Sequence, residues 1–279
     1  MNPLAPARLQ NRQPRRSEAE PHWCRIRQGS PCWRLARLGC VGERRSAPGS
    51  DAGRRAAVLY RLARMITGIE RPHPVRVGVD GFSAAGKSTL ADELAVTVVD
   101  HGRTCLRADL DDFKRPRAER PPGPAGFYHG AFDLDAIRAL LLSPLGPGGD
   151  RRIRLKFFDQ QSQAPFPIEV QSVPADAVVI ADGGYLLRPE LRGLWDFRIF
   201  VEIDFGLVLA RGAARDSAWM DSAQAAAERY RRYYIPAERM YDAEADPRSQ
   251  ADVIVDNRDV ADPVLRQGRA QGTSNPVVT

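Results

Sequence analysis

The sequence predicts an α/β protein with a parallel sheet of about five strands and helices on both faces, a three-layer sandwich. Short β-branched apolar runs alternate with helical stretches, and a glycine-rich loop joins one of these runs to a helix. No apolar run approaches the roughly 20 residues that a bilayer-spanning helix needs. Of the 279 residues 43% are hydrophobic, which is the usual fraction for a globular protein.

Composition divides the chain into three parts. Residues 1–53 are rich in proline and arginine and predict a disordered extension, 54–262 predict one folded domain, and 263–279 predict a disordered tail. Residues 1–55 carry 12 arginines against 4 acids, whereas the remainder has 29 basic and 31 acidic residues. A role in nucleic-acid binding would therefore depend on the extension alone, and we expect none.

The extension also contains cysteines, but they do not predict a metal site. Cys24, Cys32 and Cys40 are eight residues apart, whereas zinc-binding pairs usually lie two to four residues apart. The extension lacks the apolar stretch of a secretory signal, so we expect a cytoplasmic protein without a membrane segment. The sequence does not determine the oligomeric state.

The predicted elements follow one another in a regular order. An amphipathic helix with Leu62 and Ile66 on its apolar face ends at Pro72, and a strand from Val75 to Val79 leads into the glycine-rich loop. A helix from Lys87 to about Val98 comes next. Further strands are predicted at 105–108, 177–181, 197–203 and 251–255, and helices at 134–142, 205–215 and 221–233.

One segment does not fit the alternation of strands and helices. Ile153, Leu155 and Phe157 alternate with basic residues, and a second run begins at Ile168 and Val170. Alternation of this kind is typical of strands with one exposed face. It predicts a small, half-exposed β-hairpin outside the main sheet, on the side where a substrate binds.

The glycine-rich loop matches the pattern G-x-x-x-x-G-K-[ST] from Gly81 to Ser88. Its glycines allow backbone N–H groups to surround a phosphate, and the following helix adds its positive N-terminal end. Lys87 can reach the terminal phosphates, and the Ser88 hydroxyl can bind Mg²⁺. We therefore predict a P-loop NTPase fold that binds ATP through Gly81, Ser83, Ala84, Ala85, Gly86, Lys87, Ser88 and Thr89.

Acidic and basic residues at later positions suit phosphoryl transfer. Asp182 ends a buried strand and predicts a second magnesium ligand. Asp109, Asp111 and Asp112 follow another strand, and any of them could accept the proton of an acceptor hydroxyl. Arg211 and Arg215 lie one helical turn apart and could neutralise phosphate charge.

These features favour a small-molecule kinase over other P-loop proteins. The residues Asp256 to Asp259 lack the lysine of the N-K-x-D motif that reads guanine in a GTP switch, and the predicted domain is too small for a motor. Two alternatives remain open: the same transfer to another alcohol, such as a sugar phosphate or pantothenate, and a nucleotide-binding regulator without catalysis.

A series of motifs resembles the uridine kinase-like branch of P-loop kinases. GFSAAGKST is followed by DDFKRP, FYHGAFD, KFFD, ADGGYLL, RGAARD and ERYRRYYIPAERMY, and the series ends at ADVIVDN. The resemblance covers residues 75–257. That branch contains uridine/cytidine kinases and, more distantly, phosphoribulokinase and pantothenate kinase.

The resemblance implies a nucleoside acceptor and assigns roles to individual residues. Asp111 would be the base for the ribose 5′-hydroxyl, and Asp182 would occupy the position of an acid before glycine. Arg211 and Arg215 would be the lid arginines. Acceptor-binding positions would be Phe132, Asp133, Phe158, Asp159, Gln163, Arg229 and Tyr230.

Three positions depart from the pattern of uridine kinases. Gln160 and Gln163 stand where an aromatic residue and a histidine are expected to read the pyrimidine, and Lys114 replaces a tyrosine. The phosphoryl-transfer residues therefore match the family more closely than the pyrimidine-reading residues do.

Overall fold

The computed structural model describes residues 50–268, with side chains described from Gly53 onward. The predictions for residues 1–49, including Cys24, Cys32 and Cys40, and for 269–279 lie outside the described residues. Among the helices within residues 50–268, none has the length and apolar character needed to cross a bilayer.

The described residues form ten strands and eight α-helices. The strands are β1 (Val75–Gly81), β2 (Cys105–Asp109), β3 (Arg152–Ile153), β4 (Phe158–Asp159), β5 (Ala164–Pro165), β6 (Gln171–Ser172), β7 (Val178–Asp182), β8 (Phe197–Glu202), β9 (Val253–Asp256) and β10 (Val264–Gln267). The helices are α1 (Ser50–Thr67), α2 (Lys87–Asp100), α3 (Gly123–Gly130), α4 (Leu134–Ile137), α5 (Phe205–Asp216), α6 (Ala223–Arg229), α7 (Ile235–Ala245) and α8 (Pro247–Gln250).

The central sheet has the strand order β10-β9-β8-β1-β7-β2. Strands β2, β7, β1, β8 and β9 are parallel, and β10 pairs antiparallel with β9. Because parallel strands end at one edge, the registers bring Val79 and Asp109 beside Asp182. The predicted α/β sandwich with about five parallel strands is confirmed, and the candidate site lies at the carboxyl edge of its three strands β1, β7 and β2.

Both faces of the central strands are covered. Every residue of β1 and of β7 is buried. Since successive side chains of a strand point to opposite faces, a strand that is buried throughout has packing on both sides. Helix α2 buries Leu90, Leu94 and Val98, as the helical spacing predicted.

The predicted C-terminal boundary is wrong. Residues 264–267 were expected in a tail that begins at 263, but they form the edge strand β10 against Val253–Asp256. This strand is held by backbone pairing, and its side chains are mostly exposed, so it lacks the apolar run that marks a buried strand. At the other end, α1 begins at Ser50, four residues before the predicted domain start.

The predicted hairpin outside the main sheet is present in a reduced form. It consists of two separate two-residue ladders outside the main sheet, β3 with β6 and β4 with β5. The predicted continuous alternation fails because β3 ends at Ile153, so Leu155 and Phe157 lie outside any strand. Phe158 is buried, and Phe157 stacks on Phe113 with a centroid distance of 6.2 Å.

The helix predicted at 221–233 is longer and interrupted. Helix α6 continues through a π-helical turn, Tyr230–Tyr234, directly into α7. A similar π-helical turn, Arg138–Leu142, extends α4. The π-turn after α6 changes the direction of the side chains that follow, so α7 presents Glu238 and Tyr241 to the base of the glycine-rich loop.

Candidate active site

The loop after β1 has the backbone geometry of a phosphate-binding loop. Gly81 has φ +152°, and a Cβ at this position would lie 2.4 Å from the Val201 carbonyl oxygen. Gly86 has φ +91°, and its Cβ would lie 2.7 Å from Asn257 Nδ2. Both positions therefore require glycine for conformation and for space.

Asn257 holds this loop from the end of β9. Its side-chain Nδ2 donates to the Ala85 carbonyl at 2.7 Å, and its backbone N–H donates to Glu202 at 2.9 Å. Arg211 donates to the Asn257 carbonyl at 3.0 Å and to the Arg258 carbonyl at 2.7 Å. Arg211 thus supports the turn that clamps the loop, a contact that the sequence analysis did not anticipate.

Lys87 lies inside the loop with its ammonium 2.9 Å from the Phe82 carbonyl oxygen, to which it donates. Burial lowers the pKa of the ammonium, and the charges of nearby carboxylates oppose this shift. Those carboxylates are Glu238, Asp80, Asp111 and Asp182. The single lysine of the loop is therefore surrounded by acids from four different segments.

The two predicted magnesium ligands, Ser88 and Asp182, are hydrogen-bonded to each other. The Ser88 hydroxyl donates to Asp182 Oδ2 at 2.6 Å, and Arg107 of β2 donates to the other carboxylate oxygen at 2.5 Å. A hydroxyl beside a carboxylate is an oxygen donor set that Mg²⁺ accepts, with phosphates and waters completing the octahedron. Within residues 50–268 no group of three acidic, histidine or cysteine side chains forms a metal cage. The Ser88 hydroxyl and the Asp182 carboxylate fit a magnesium ion whose other ligands are phosphate oxygens and waters.

Asp109, the last residue of β2, and Asp111 in the turn that follows differ in their surroundings. Asp109 caps the turn Leu110–Phe113 by accepting from the Asp111 N–H at 2.9 Å. Burial, followed by the charges of Asp111 and Asp182, raises the pKa of Asp109 to about 7. The Asp111 side chain is about half exposed, and one carboxylate oxygen lies 2.7 Å from the Lys114 ammonium. Asp111 is exposed whereas Asp109 and Asp112 are partly buried, so Asp111 is the acid most open to an incoming acceptor.

Phe132 and Asp133 lie next to this turn. The Asp133 N–H donates to the Phe113 carbonyl at 2.9 Å, and the Lys114 ammonium lies 5.3 Å from the centre of the Phe132 ring. One oxygen of the Asp133 carboxylate accepts from the Ala136 N–H and caps α4. The structure therefore brings the predicted acceptor-binding pair to the predicted base.

The loop 158–165 packs against the segment that follows the acidic turn. Gln160 donates to the Lys114 carbonyl at 2.8 Å, and Gln163 accepts from the Arg117 N–H at 2.9 Å. The Asp159 carboxylate accepts from the Ser162 hydroxyl and the Gln161 N–H, and these bonds lower the pKa of Asp159. Asp159 thus closes its own turn, while the two glutamines attach that turn to residues 114–117.

Arg215 and Arg211 do not share a partner, although both lie on α5. Arg215 donates to Asp216 at 2.7 Å and to the Tyr230 hydroxyl at 3.0 Å. Arg215 is within electrostatic reach of Asp111. Both arginines were predicted to close over the phosphates. Arg215 lies on the acceptor side, whereas Arg211 binds the turn at Asn257 that holds the glycine-rich loop.

Arg229 belongs to a group of aromatic rings near the acceptor side. Its guanidinium lies 4.3 Å from the centre of the Tyr233 ring and 5.5 Å from that of Tyr234. Both rings pack against Phe127, which also contacts Tyr185. These tyrosines were not singled out in the sequence, because a Tyr-rich helix is also typical of ordinary packing.

Two buried acids were also missed. Asp80, the residue before the last of β1, accepts from the Leu187 N–H at 2.9 Å and from the Tyr241 hydroxyl. Glu238 of α7 reaches the loop, and Oε1 accepts from the Ser83 N–H at 2.6 Å. The only local signal was the position of Asp80 directly before Gly81, and nothing near Glu238 in the sequence pointed to the loop.

Comparison with known proteins identifies several kinases. The chain is 30% identical over 148 residues to uridine-cytidine kinase A of Dictyostelium discoideum, which covers 52% of this chain and 29% of that protein. It is 28% identical over 189 residues to the uridine kinase of Ligilactobacillus salivarius, and this match covers 65% of this chain and 84% of the relative. The matched region thus spans less than a third of the Dictyostelium protein. No protein-family model matches the chain.

Solved structures share the fold. A possible uridine kinase from Bacillus stearothermophilus aligns with a TM-score of 0.58 at 21% identity, covering 72% of this chain and 98% of that one. A putative fructose transport system kinase from Silicibacter sp. TM1040 aligns with a TM-score of 0.56 at 23% identity, covering 67% and 95%. Together with the motifs above, these similarities support the resemblance of the chain to the uridine kinase-like branch of P-loop kinases.

Proposed function

We propose that this protein is an ATP-dependent kinase that transfers the γ-phosphoryl group to a hydroxyl of a nucleoside of the uridine or cytidine type. The observation that carries the proposal is the arrangement at one sheet edge. There the loop with Lys87, the Ser88–Asp182 pair and the half-exposed Asp111 lie together. Phosphoryl transfer needs these parts: amides and a cation for the phosphates, oxygen ligands for a metal, and a base at the acceptor.

The loop and Lys87 bind and neutralise the phosphates of ATP. Backbone N–H groups from Gly81 to Thr89 surround the phosphate chain, and the α2 N-terminus adds its positive end. Lys87 leaves the Phe82 carbonyl and binds the terminal phosphates. Arg215 adds a second positive charge from the acceptor side. Because the transition state spreads charge over the phosphoryl oxygens, such positioned cations supply most of the catalysis.

A magnesium ion held by Ser88 and Asp182 would offset the charge of the β- and γ-phosphates. Arg107 fixes the Asp182 carboxylate through one oxygen, so the other oxygen keeps a defined direction toward Ser88.

Asp111 takes the proton of the attacking hydroxyl. The oxygen of that hydroxyl forms the new bond to phosphorus while the bond from the γ-phosphorus to the β–γ bridging oxygen breaks, and ADP leaves. The Lys114 ammonium, 2.7 Å from one carboxylate oxygen of Asp111, holds that carboxylate in place beside the acceptor. Asp133, beside Phe132, holds a neighbouring hydroxyl of the acceptor with the carboxylate oxygen that is not capping α4.

The acceptor side also supports a second candidate, an acceptor that already carries a negative charge, such as a sugar phosphate. Lys114 lies beside Asp111, and Arg117 and Arg120 both reach Gln160 in the adjoining loop. Burial, and then the like charge of Arg117, lower the pKa of the Arg120 guanidinium. Two cations that repel each other at the acceptor side would gain from an anionic ligand.

An acceptor panel tests the proposal directly. Purified protein receives γ-labelled ATP and Mg²⁺ together with uridine, cytidine, sugar phosphates, pantothenate or no acceptor. Label transferred to a pyrimidine nucleoside supports the first candidate, and label on a sugar phosphate alone replaces it with the second. If ATP is consumed at one rate whatever is added, the protein is a nucleotide-binding regulator and the kinase proposal fails.

A further inference from the structure

The phosphate-binding loop already holds a carboxylate from another part of the chain. Glu238 of α7 is 3% exposed, and its Oε1 accepts the Ser83 N–H at 2.6 Å. Its other oxygen, Oε2, is buried with no hydrogen-bond partner in the described structure. A buried carboxylate usually has both oxygens satisfied, so this oxygen requires an explanation.

The position of Glu238 along the loop identifies what it replaces. Ser83 follows Phe82, whose carbonyl accepts from the Lys87 ammonium. In loops of this type the backbone amides hold the inner phosphates and the lysine reaches the terminal ones. Glu238 also exerts the largest attraction of any acid on Lys87. Its carboxylate therefore accepts from one amide of the loop and lies within electrostatic reach of Lys87, the residue that takes the terminal phosphates.

Helix α7 is fixed so that Glu238 stays in this position. Tyr241, about one helical turn beyond Glu238, donates its hydroxyl to Asp80, which directly precedes the loop. The Leu187 N–H donates to the same Asp80 oxygen at 2.9 Å. The side chain of Tyr241 is fully buried. The bond between Tyr241 and Asp80 attaches α7 to the base of the loop. Glu238 is therefore held within hydrogen-bond distance of the Ser83 N–H.

We propose that Glu238 occupies the place of the γ-phosphate when the enzyme is empty or holds ADP, and that the γ-phosphate of ATP must displace it. The carboxylate and the phosphate are both anions that need the Ser83 N–H and the Lys87 ammonium. ADP ends before this position and leaves Glu238 undisturbed. Glu238 thereby sets the relative affinity for ATP and ADP. This inference rests on one part of the proposed function, the binding of ATP by the loop.

The negative charge of Glu238 determines whether this side chain weakens or strengthens the binding of a triphosphate. Two like charges a few ångströms apart repel by several kcal/mol even at an effective dielectric constant of about 20. Glu238 relieves part of this repulsion by moving away. We therefore expect its removal to tighten triphosphate binding about tenfold, which corresponds to about 1.4 kcal/mol. The affinity for ADP should change less than about twofold.

Glu238→Gln is the principal test, since glutamine keeps the size of the side chain and removes its charge. Titration calorimetry with Mg²⁺ measures the Kd of a non-hydrolysable ATP analogue and of ADP for the wild type and the variant. Glu244→Gln is the matched control, because Glu244 lies on the same helix with its side chain about half exposed. The inference predicts that the ADP-to-analogue Kd ratio rises about tenfold in Glu238→Gln and stays constant in Glu244→Gln.

The possible outcomes separate the inference from the proposed function. If the wild type binds neither nucleotide, the proposed function fails. If it binds both and Glu238→Gln changes both Kd values equally, or weakens the analogue, Glu238 has only a structural role and the inference is wrong.

A measurement on the wild type covers the case in which the variant does not fold. The amide resonance of Ser83 should change strongly with the triphosphate analogue and stay near its free position with ADP. An equal response to both nucleotides would overturn the inference.

Discussion

Asn257 gives a sharp test of how the phosphate-binding loop is held. It is 2% exposed, and its Nδ2 donates to the fully buried Ala85 carbonyl at 2.7 Å. Asn257→Ala leaves that carbonyl without its partner, which costs about 1–3 kcal/mol, and removes buried atoms as well. We expect a loss of about 2–3 kcal/mol in the free energy of unfolding. At 2–4 °C per kcal/mol for a domain of this size, Tm falls by about 5–10 °C.

The same substitution should weaken nucleotide binding. Ala85 directly precedes Gly86 in the loop. Without the hydrogen bond from Asn257 to its carbonyl, the loop can leave the conformation that surrounds a phosphate. We expect the Kd for ATP to rise about tenfold at a temperature well below Tm. Thermal unfolding followed by circular dichroism measures stability, and titration calorimetry measures binding.

A control distinguishes this effect from general loss of packing. Gln250 of α8 is half-buried, and its side chain donates to the neighbouring Ser249 hydroxyl at 3.0 Å. Gln250→Ala should lower Tm by less than about 2 °C and leave the Kd unchanged. If Asn257→Ala changed Tm and the Kd for ATP no more than Gln250→Ala does, the idea that Asn257 holds the loop would be refuted.

Three further predictions concern single side chains. Lys87→Ala should reduce kcat at least about 100-fold while Tm is unchanged or higher, because a buried cation is removed; full activity would refute the loop assignment. Asp111→Asn should lower kcat about 10²–10⁴-fold with little change in the Kd for ATP, and unchanged turnover would move the base to Asp109 or Asp112. Burial raises the pKa of the Cys105 thiol to about 12, so at pH 8 iodoacetamide should modify the Cys105 peptide at least about 100-fold more slowly in native protein than in urea, as measured by mass spectrometry. Equal rates would show that this strand is open to solvent.

The sequence alone determined the parts that depend on local pattern. The glycine-rich loop, the strand before it and the helix after it follow from residue types within a span of about 25 positions, because conformation and helix polarity are local properties. The pairing of Ser88 with Asp182 was also predictable, because each ends or follows a buried parallel strand. The edge strand Val264–Gln267 was not, because backbone pairing leaves no apolar signal.

The tertiary structure decided which distant residues meet the loop. Glu238 is 155 positions from Ser83, Tyr241 is 161 from Asp80, and Asn257 is 172 from Ala85. Each contact depends on the order of strands in the sheet and on the π-helical turn before α7, and no periodicity in the sequence encodes such pairings. The sequence therefore identified where the phosphates bind, whereas the packing of α7 and of the turn after β9 determined which side chains act on them.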